Sequence, residues 1–116
     1  MRKMLRSKIH RALVTDANVD YEGSISVDEA LLKAADIIPF EQVSCWNVTT
    51  GTRFTTYAIT AQKGSGTICI NGAAAHLAKR GDLLIIATFT DIDEARAAEH
   101  RPTIVLLGVN NSLRAP

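Results

Sequence analysis

A chain of 116 residues and 12.6 kDa suits one domain with a single core, burying roughly two-thirds of the surface its unfolded form exposes. With 47% hydrophobic and 22% charged residues, the composition is that of an ordinary globular protein and excludes a disordered or collagen-like chain. Thirteen Lys and Arg against 12 Asp and Glu leave a net charge of +1, and aromatics are only 5%, so neither phosphate steering nor base stacking has its residues and nucleic acid is not an expected partner.

Met4 to Thr15 alternates with period two. Leu5, Ile9 and Leu13 share one parity and Met4, Arg6, Lys8 and His10 the other, which predicts a strand with an apolar and a cationic face; Arg11 breaks the alternation. Asp16 to Gly23 is a polar connector. Ser26-Val27-Asp28-Glu29 matches a capping box with Ser26 as N-cap, predicting a short helix with Val27, Ala30, Leu31 and Ala34 on one face and Pro39 beyond its end. Two β-rich runs, Gln42 to Val48 and Arg53 to Thr60, flank the turn Thr49-Thr50-Gly51-Thr52 and predict a hairpin. Lys63-Gly64-Ser65-Gly66 is a second turn, Thr67 to Ile70 a short strand, Asn71-Gly72 a sharp corner, and Ala73 to Lys79 a helix-prone stretch that stops at Gly81. Leu83 to Phe89 predicts an apolar strand, Asp93 to Glu99 a short helix closed by Pro102, and Thr103 to Val109 a last strand. Residues 110–116 have no core pattern and read as a mobile tail. Many short strands with two or three short helices in so small a chain predict a mainly β fold, a closed or nearly closed barrel spanning residues 1–116 as a single domain.

The chemistry-bearing motifs of large families are absent: no P-loop, no GxGxxG, no nucleophile elbow, and no Cys/His cluster of metal-ligand spacing. Cys45 and Cys69 read as small buried hydrophobes in strands. The longest apolar run, Leu83 to Ala87, falls far short of the roughly 20 residues a membrane helix needs, and the basic N-terminus is not followed by a hydrophobic stretch, so no membrane partner is expected and a cytoplasmic location is.

Five strings nevertheless stand together: Lys8-Ile9-His10-Arg11-Ala12, Tyr21-Glu22-Gly23-Ser24, Trp46-Asn47-Val48, Arg53-Phe54-Thr55-Thr56-Tyr57 and Asn71-Gly72-Ala73-Ala74-Ala75-His76. In order and spacing they resemble the pyruvoyl-dependent aspartate 1-decarboxylases, from about Met4 to Val105. The resemblance implies a six-stranded double-psi β barrel, a homotetramer, and conversion of L-aspartate to β-alanine and CO2 for pantothenate synthesis. It also implies self-cleavage into residues 1–23 and 24–116: Ser24 Oγ attacks the Gly23 carbonyl, the resulting ester eliminates, and the residue left at position 24 becomes a covalently bound pyruvoyl group. That group would form a Schiff base with the substrate amine and take the electron-sink role that pyridoxal phosphate plays elsewhere, so that neither that cofactor nor a metal is implied. A maturation helper protein is compatible with this scheme.

Residue by residue, Gly23 suits the attacked position because nothing overhangs its carbonyl and it tolerates a strained backbone. By the resemblance Thr56 supplies a donor for the oxyanion, and Tyr57 a proton for carbon after CO2 leaves. In a strand Arg53 and Tyr57 share parity, whereas Thr56 faces the other way unless a bulge intervenes. Arg53 and Lys8 can bind the two carboxylates of the substrate, the first bidentately, the second as a point charge. His10 either orients the substrate or is structural, and Arg6 reads as part of a solvated charged row. Gly72, Ala73 and Ala74 offer backbone N–H groups behind small side chains, and Asn71 a side-chain amide; the alternative for all four is a plain turn leading into an alanine-rich helix. Trp46 packs nearby, and Asn47 makes a structural hydrogen bond. Thr50 stands where the family pattern has Asn before Gly51. A non-catalytic β-barrel binding or assembly module, with Gly23-Ser24 uncleaved, is the competing expectation.

Overall fold

The computed structural model describes residues 1–114, in which nine strands follow one another: β1 (Arg2–Leu13), β2 (Asp16–Asn18), β3 (Ser24–Asp28), β4 (Gln42–Asn47), β5 (Arg53–Ala61), β6 (Ile68–Asn71), β7 (Leu83–Ile92), β8 (Thr103–Leu107) and β9 (Leu113–Arg114). They form one ladder in the order β2-β6-β3-β5-β4-β7-β1-β8-β9. Six of these strands, β6-β3-β5-β4-β7-β1, are contiguous in the ladder, and β2, β8 and β9 extend its ends. The chain leaves β1 near one end of the ladder and enters β2 at the other. Val14 N–H donates to Asp82 O and Thr15 N–H to Ile68 O, each at 2.8 Å, which draws the two ends together into a small barrel. Ile9, Ile25, Val27, Ile68, Ile70, Leu84 and Ile86 fill it, each fully buried and each contributing roughly 1.5–3 kcal/mol by burial.

The break in alternation at Arg11 is a bulge. Arg11 has φ 59, and between Ile9 and Ala12 β1 carries one residue more than β7 opposite it. Parity therefore flips: Ala12 and Val14 enter the core, and Leu13, expected on the apolar face, is exposed. Arg6 also departs from expectation. Its guanidinium meets the Asp36 carboxylate and backbone carbonyl, and pairs with Glu41, half-buried rather than solvated, so it ties β1 to the loop after the first helix.

That helix, α1 (Glu29–Ala34), starts later than a Ser26 cap requires, because β3 runs on to Asp28. Asp28 is the N-cap. Its Oδ1 accepts from Ala30 N at 2.8 Å and Gly64 N at 3.0 Å, and its Oδ2 from Gly66 N at 2.9 Å. One buried carboxylate thus satisfies the helix start and the 63–66 turn together, which a hydroxyl lacks the acceptor capacity to do. Burial pushes its pKa up, but the three backbone donors outweigh burial and hold the carboxyl below its ordinary value.

A second helix, α2 (Glu94–Ala97), sits where expected, and the stretch after Asn71 is a 3-10 turn, Gly72–His76, rather than a longer helix. The expected tail carries structure over its described part: Val109–Asn111 forms a 3-10 turn, β9 pairs with β8, and Asn111 is buried, accepting from Leu13 N and donating to Leu13 O and Gly66 O. Residues 115 and 116 of that expectation lie outside the described residues. Among the described residues no helix is long and apolar enough to cross a membrane, and no group of three His, Cys, Asp or Glu is placed to hold a metal.

Candidate active site

Ser24 opens β3 and is 2% exposed, while Gly23 before it is exposed. The hydroxyl is held from two sides. Asn71 Nδ2 donates to Ser24 Oγ at 3.0 Å, and Ser24 Oγ donates more weakly to Glu22 O at 3.4 Å. Asn71 sits across the antiparallel β3/β6 pair, in register with Ser24 and itself 4% exposed. Gly72, next in the chain, has φ +74, and a Cβ there would lie 2.6 Å from Gly23 Cα and 2.8 Å from Gly23 N. The corner residue must be glycine, both for its left-handed backbone and because Gly23 lies against it. Gly23 itself is not among the positive-φ residues, so the left-handed backbone belongs to Gly72. Around Gly23 a Cβ would meet nothing within 4 Å, leaving open space beside the Gly23-Ser24 peptide.

The parallel β3/β5 pair adds the phenol. Ile25 and Ala58 are partners, both buried in the core, so one position back Ser24 comes level with Tyr57 on the opposite, outer face. Tyr57 is 36% exposed, its ring 6.1 Å from that of Phe40. Arg53 lies on the same face, four residues earlier, paired with Trp46, and its guanidinium stacks 5.1 Å over the indole. No acidic partner of Arg53 or of half-buried Lys8 exists among the described residues, so both cations remain available to an anion. Thr56 pairs with the buried Val43 and so faces inward; β5 has no bulge there. Extending the β3/β5 register one further position brings Thr56 level with Gly23, not with Ser24, so it neighbours the carbonyl-bearing residue from the inner side.

Lys8 and His10 lie on β1, which pairs with β7 and β8 and not with β3, and no hydrogen bond joins either side chain to Ser24 or Asn71 among the described residues. His10 has a buried Nδ1 with no hydrogen-bond partner, and burial, with Lys8, Arg11 and Arg114 adding repulsion, holds its pKa below the ordinary value. Ala73 is exposed and Ala74 half-buried in the 3-10 turn, whose first residues receive no side-chain cap from Asn71.

Asn47 is structural, as expected. Its Nδ2 donates to Leu77 O and to Asp82 Oδ2, while Oδ1 accepts from Thr49 N and Thr50 N. These bonds close the β4/β5 turn with Thr50 in place, Gly51 supplying φ 82. Two neighbours of the site carry no motif of their own: Ser26, whose Oγ accepts a second bond from Asn71 Nδ2 at 3.0 Å, and Cys69, half-buried, whose Sγ donates to Asn71 Oδ1 at 3.3 Å. Only the β3/β6 register, in which Ser26 faces Cys69, reveals them.

Fold and site together describe a small β barrel that carries a buried serine hydroxyl beside an open glycine peptide. Comparison with known proteins makes it specific. The chain belongs to the aspartate decarboxylase family, whose model matches residues 1–114. It is 61% identical to an aspartate 1-decarboxylase of Legionella pneumophila strain Lens over 97% of this chain and 85% of that one. Similar proteins of the same name are 57% identical in Syntrophobacter fumaroxidans, over 95% and 89% of the two chains, and 53% identical in Syntrophus aciditrophicus, over 97% of each.

Proposed function

We propose that the chain is a self-processing aspartate 1-decarboxylase that converts L-aspartate to β-alanine and CO2, in the cytoplasm, with its electrophile generated from Ser24. The observation that carries this is the Gly23-Ser24 junction: an open peptide, against whose Gly23 backbone Gly72 packs without a Cβ, followed by a buried hydroxyl that the Asn71 amide holds. In processing, the Oγ–C bond to Gly23 forms as the Gly23–Ser24 C–N bond breaks, and the hydroxyl proton passes to the Ser24 nitrogen. Thr56, level with Gly23, is the donor for the oxyanion, by side chain or backbone.

The residues present fit a pyruvoyl group at position 24, since Ser24 is anchored in β3 and Asn71 offers N–H donors on that face. Such a group supplies a carbonyl conjugated to an amide, a sink for the electron pair released with CO2. Tyr57, level with position 24 on the outer face, holds the proton destined for substrate carbon. Arg53 binds one substrate carboxylate through its planar guanidinium, and the uncapped N–H groups at Gly72, Ala73 and Ala74 favour an anion.

Lys8 serves the second carboxylate from another copy of the chain; in its own, β1 pairs with β7 and β8 and has no pairing with β3. A homotetramer, implied by the family resemblance, would close the site, which opens on the outer face beside half-exposed Tyr57. His10 accompanies Lys8 in that role, and a helper protein remains compatible with maturation.

Denaturing mass spectrometry tests the proposal. Warm incubation of the precursor yields fragments 1–23 and 24–116, the larger blocked to Edman degradation, and Ser24→Ala abolishes both cleavage and CO2 release. Survival of activity in Ser24→Ala would remove the pyruvoyl assignment, and an intact, inactive wild-type chain would favour a non-catalytic barrel.

A further inference from the structure

We propose that Ser26 and Cys69 are positioning residues for self-cleavage, holding the Asn71 side-chain amide with its N–H edge on the Ser24 hydroxyl oxygen; this rests on the self-processing function proposed above. A buried amide at this position has two orientations, related by a half-turn. In the observed one, Nδ2 meets two oxygen acceptors, Ser24 Oγ and Ser26 Oγ, each at 3.0 Å, and Oδ1 meets the Cys69 thiol at 3.3 Å. Flipped, the amide would turn N–H toward sulfur, a weak acceptor, and its carbonyl would compete with Glu22 O for the Ser24 hydroxyl proton. Burial first, and the Asp16 carboxylate second, push the Cys69 thiol above its ordinary pKa, so it keeps the proton it donates. Ser26 and Cys69 face one another across β3/β6, one on each strand, and grip the amide at both ends.

The orientation matters when the ester opens. In that step the Ser24 Cα proton goes to water, the Cα=Cβ double bond forms, and the Cβ–Oγ bond breaks, so Oγ departs with the electron pair as part of the Gly23 carboxylate. An N–H already seated on Oγ stabilises the charge developing there; a carbonyl in its place would repel it.

The test uses the full-length precursor, following fragments 1–23 and 24–116 over time by denaturing mass spectrometry, with a thermal melt of each variant alongside. Ser26→Ala and Cys69→Val are each expected to slow cleavage about five-fold, the loss of one hydrogen bond's preference, and the double variant by more than about ten-fold. Cys69→Ser and Ser26→Thr keep the donor and the acceptor and are expected to cleave within about two-fold of the wild type. A role in packing alone would not separate Cys69→Val from Cys69→Ser by donor chemistry. Cleavage of Ser26→Ala and Cys69→Val at the wild-type rate, or slowing that only tracks a lowered melting temperature, overturns the positioning role and leaves the proposed function intact. A wild-type chain that does not cleave removes the proposed function and the positioning role with it.

Discussion

Gly72→Ala is the sharpest perturbation of the processing site. Two terms add. The first is conformational: alanine at φ +74 gives up roughly 1–2 kcal/mol relative to glycine. The second is steric, because the new Cβ would lie 2.6 Å from Gly23 Cα and 3.1 Å from Tyr21 O, against 3.4 Å for ordinary contact, so the 21–23 backbone must retreat by about 0.8 Å. Both neighbours are backbone, with no flexible tip to swing aside, and overpacking of this kind costs about 1–3 kcal/mol. The total, about 2–5 kcal/mol, lowers Tm by roughly 10 °C or more in a domain of this size. The displacement falls on Gly23, whose carbonyl is the proposed target of Ser24, and there a misplacement near 1 Å slows a reaction by about 100-fold. Gly81→Ala is the control: its φ is +94 but nothing lies within 4 Å of a Cβ, so it keeps the conformational term and lacks the steric one. Calorimetry and the time course of fragment formation should therefore show Gly81→Ala mildly destabilised with near-normal cleavage, and Gly72→Ala strongly slowed. Equal cleavage in the two variants would refute the claim that Gly72 sets the approach of Gly23 to the hydroxyl.

Tyr57→Phe is expected to cleave normally yet lower kcat at least about 100-fold, as general-acid loss does; unchanged turnover of L-aspartate, read as CO2 release, excludes Tyr57 as the proton donor. Arg53→Lys keeps the charge and loses the planar fork, so KM for L-aspartate should rise about ten-fold with kcat less affected. Coexpressed Lys8→Ala and Tyr57→Phe chains should recover activity that neither has alone, if Lys8 serves the site of another copy; failure to complement in a mixed oligomer confirmed by native mass spectrometry would place Lys8 and Tyr57 in one chain's site or outside it. Asp28 and Asp82 both have carboxyls held below their ordinary pKa, Asp28 by the three backbone donors against burial, Asp82 first by Asn47 and then by the Lys79 N–H. Their stabilisation is fully present above the unfolded carboxylate value near pH 4 and is lost as pH falls through the lower folded values, so Tm should drop steeply only in that acid range. His10, also held low, adds a shallower loss beginning near its ordinary value. Asp28→Asn should lower Tm at pH 7 by an amount matching about 1–3 kcal/mol and flatten the acid limb; an unchanged acid limb would mean other groups govern it.

What the sequence made legible divides along a physical line. Gly23-Ser24 and Asn71-Gly72 are contiguous pairs, and their chemistry is written in local backbone: an unshielded carbonyl before a hydroxyl, an amide before a left-handed corner. The fault at Arg11 in a period of two was visible for the same reason, though the bulge it marks, which turns Leu13 outward, was not. By contrast, Asp28 displaced Ser26 as the helix cap because two of its three donors, Gly64 and Gly66, arrive from a turn more than 30 residues away. Arg6 looked solvated until Asp36 and Glu41 were folded against it. The conflict over Thr56 dissolves for a related reason. Parity along β5 alone set it against Tyr57, and that opposition holds, but the parallel β3/β5 register, continued back from Ile25 opposite Ala58, gives each residue its own neighbour, Tyr57 level with Ser24 and Thr56 with Gly23. A strand face and a strand row are different coordinates, and only the first can be counted from one segment. The same distinction separates Asn71, which the motif exposes, from Ser26 and Cys69, which acquire a role only when β3 and β6 run antiparallel with Ser26 opposite Cys69. The proposed self-cleavage draws on both kinds of information: the bond it would break is local, and the groups proposed to aim the hydroxyl at it are assembled by register.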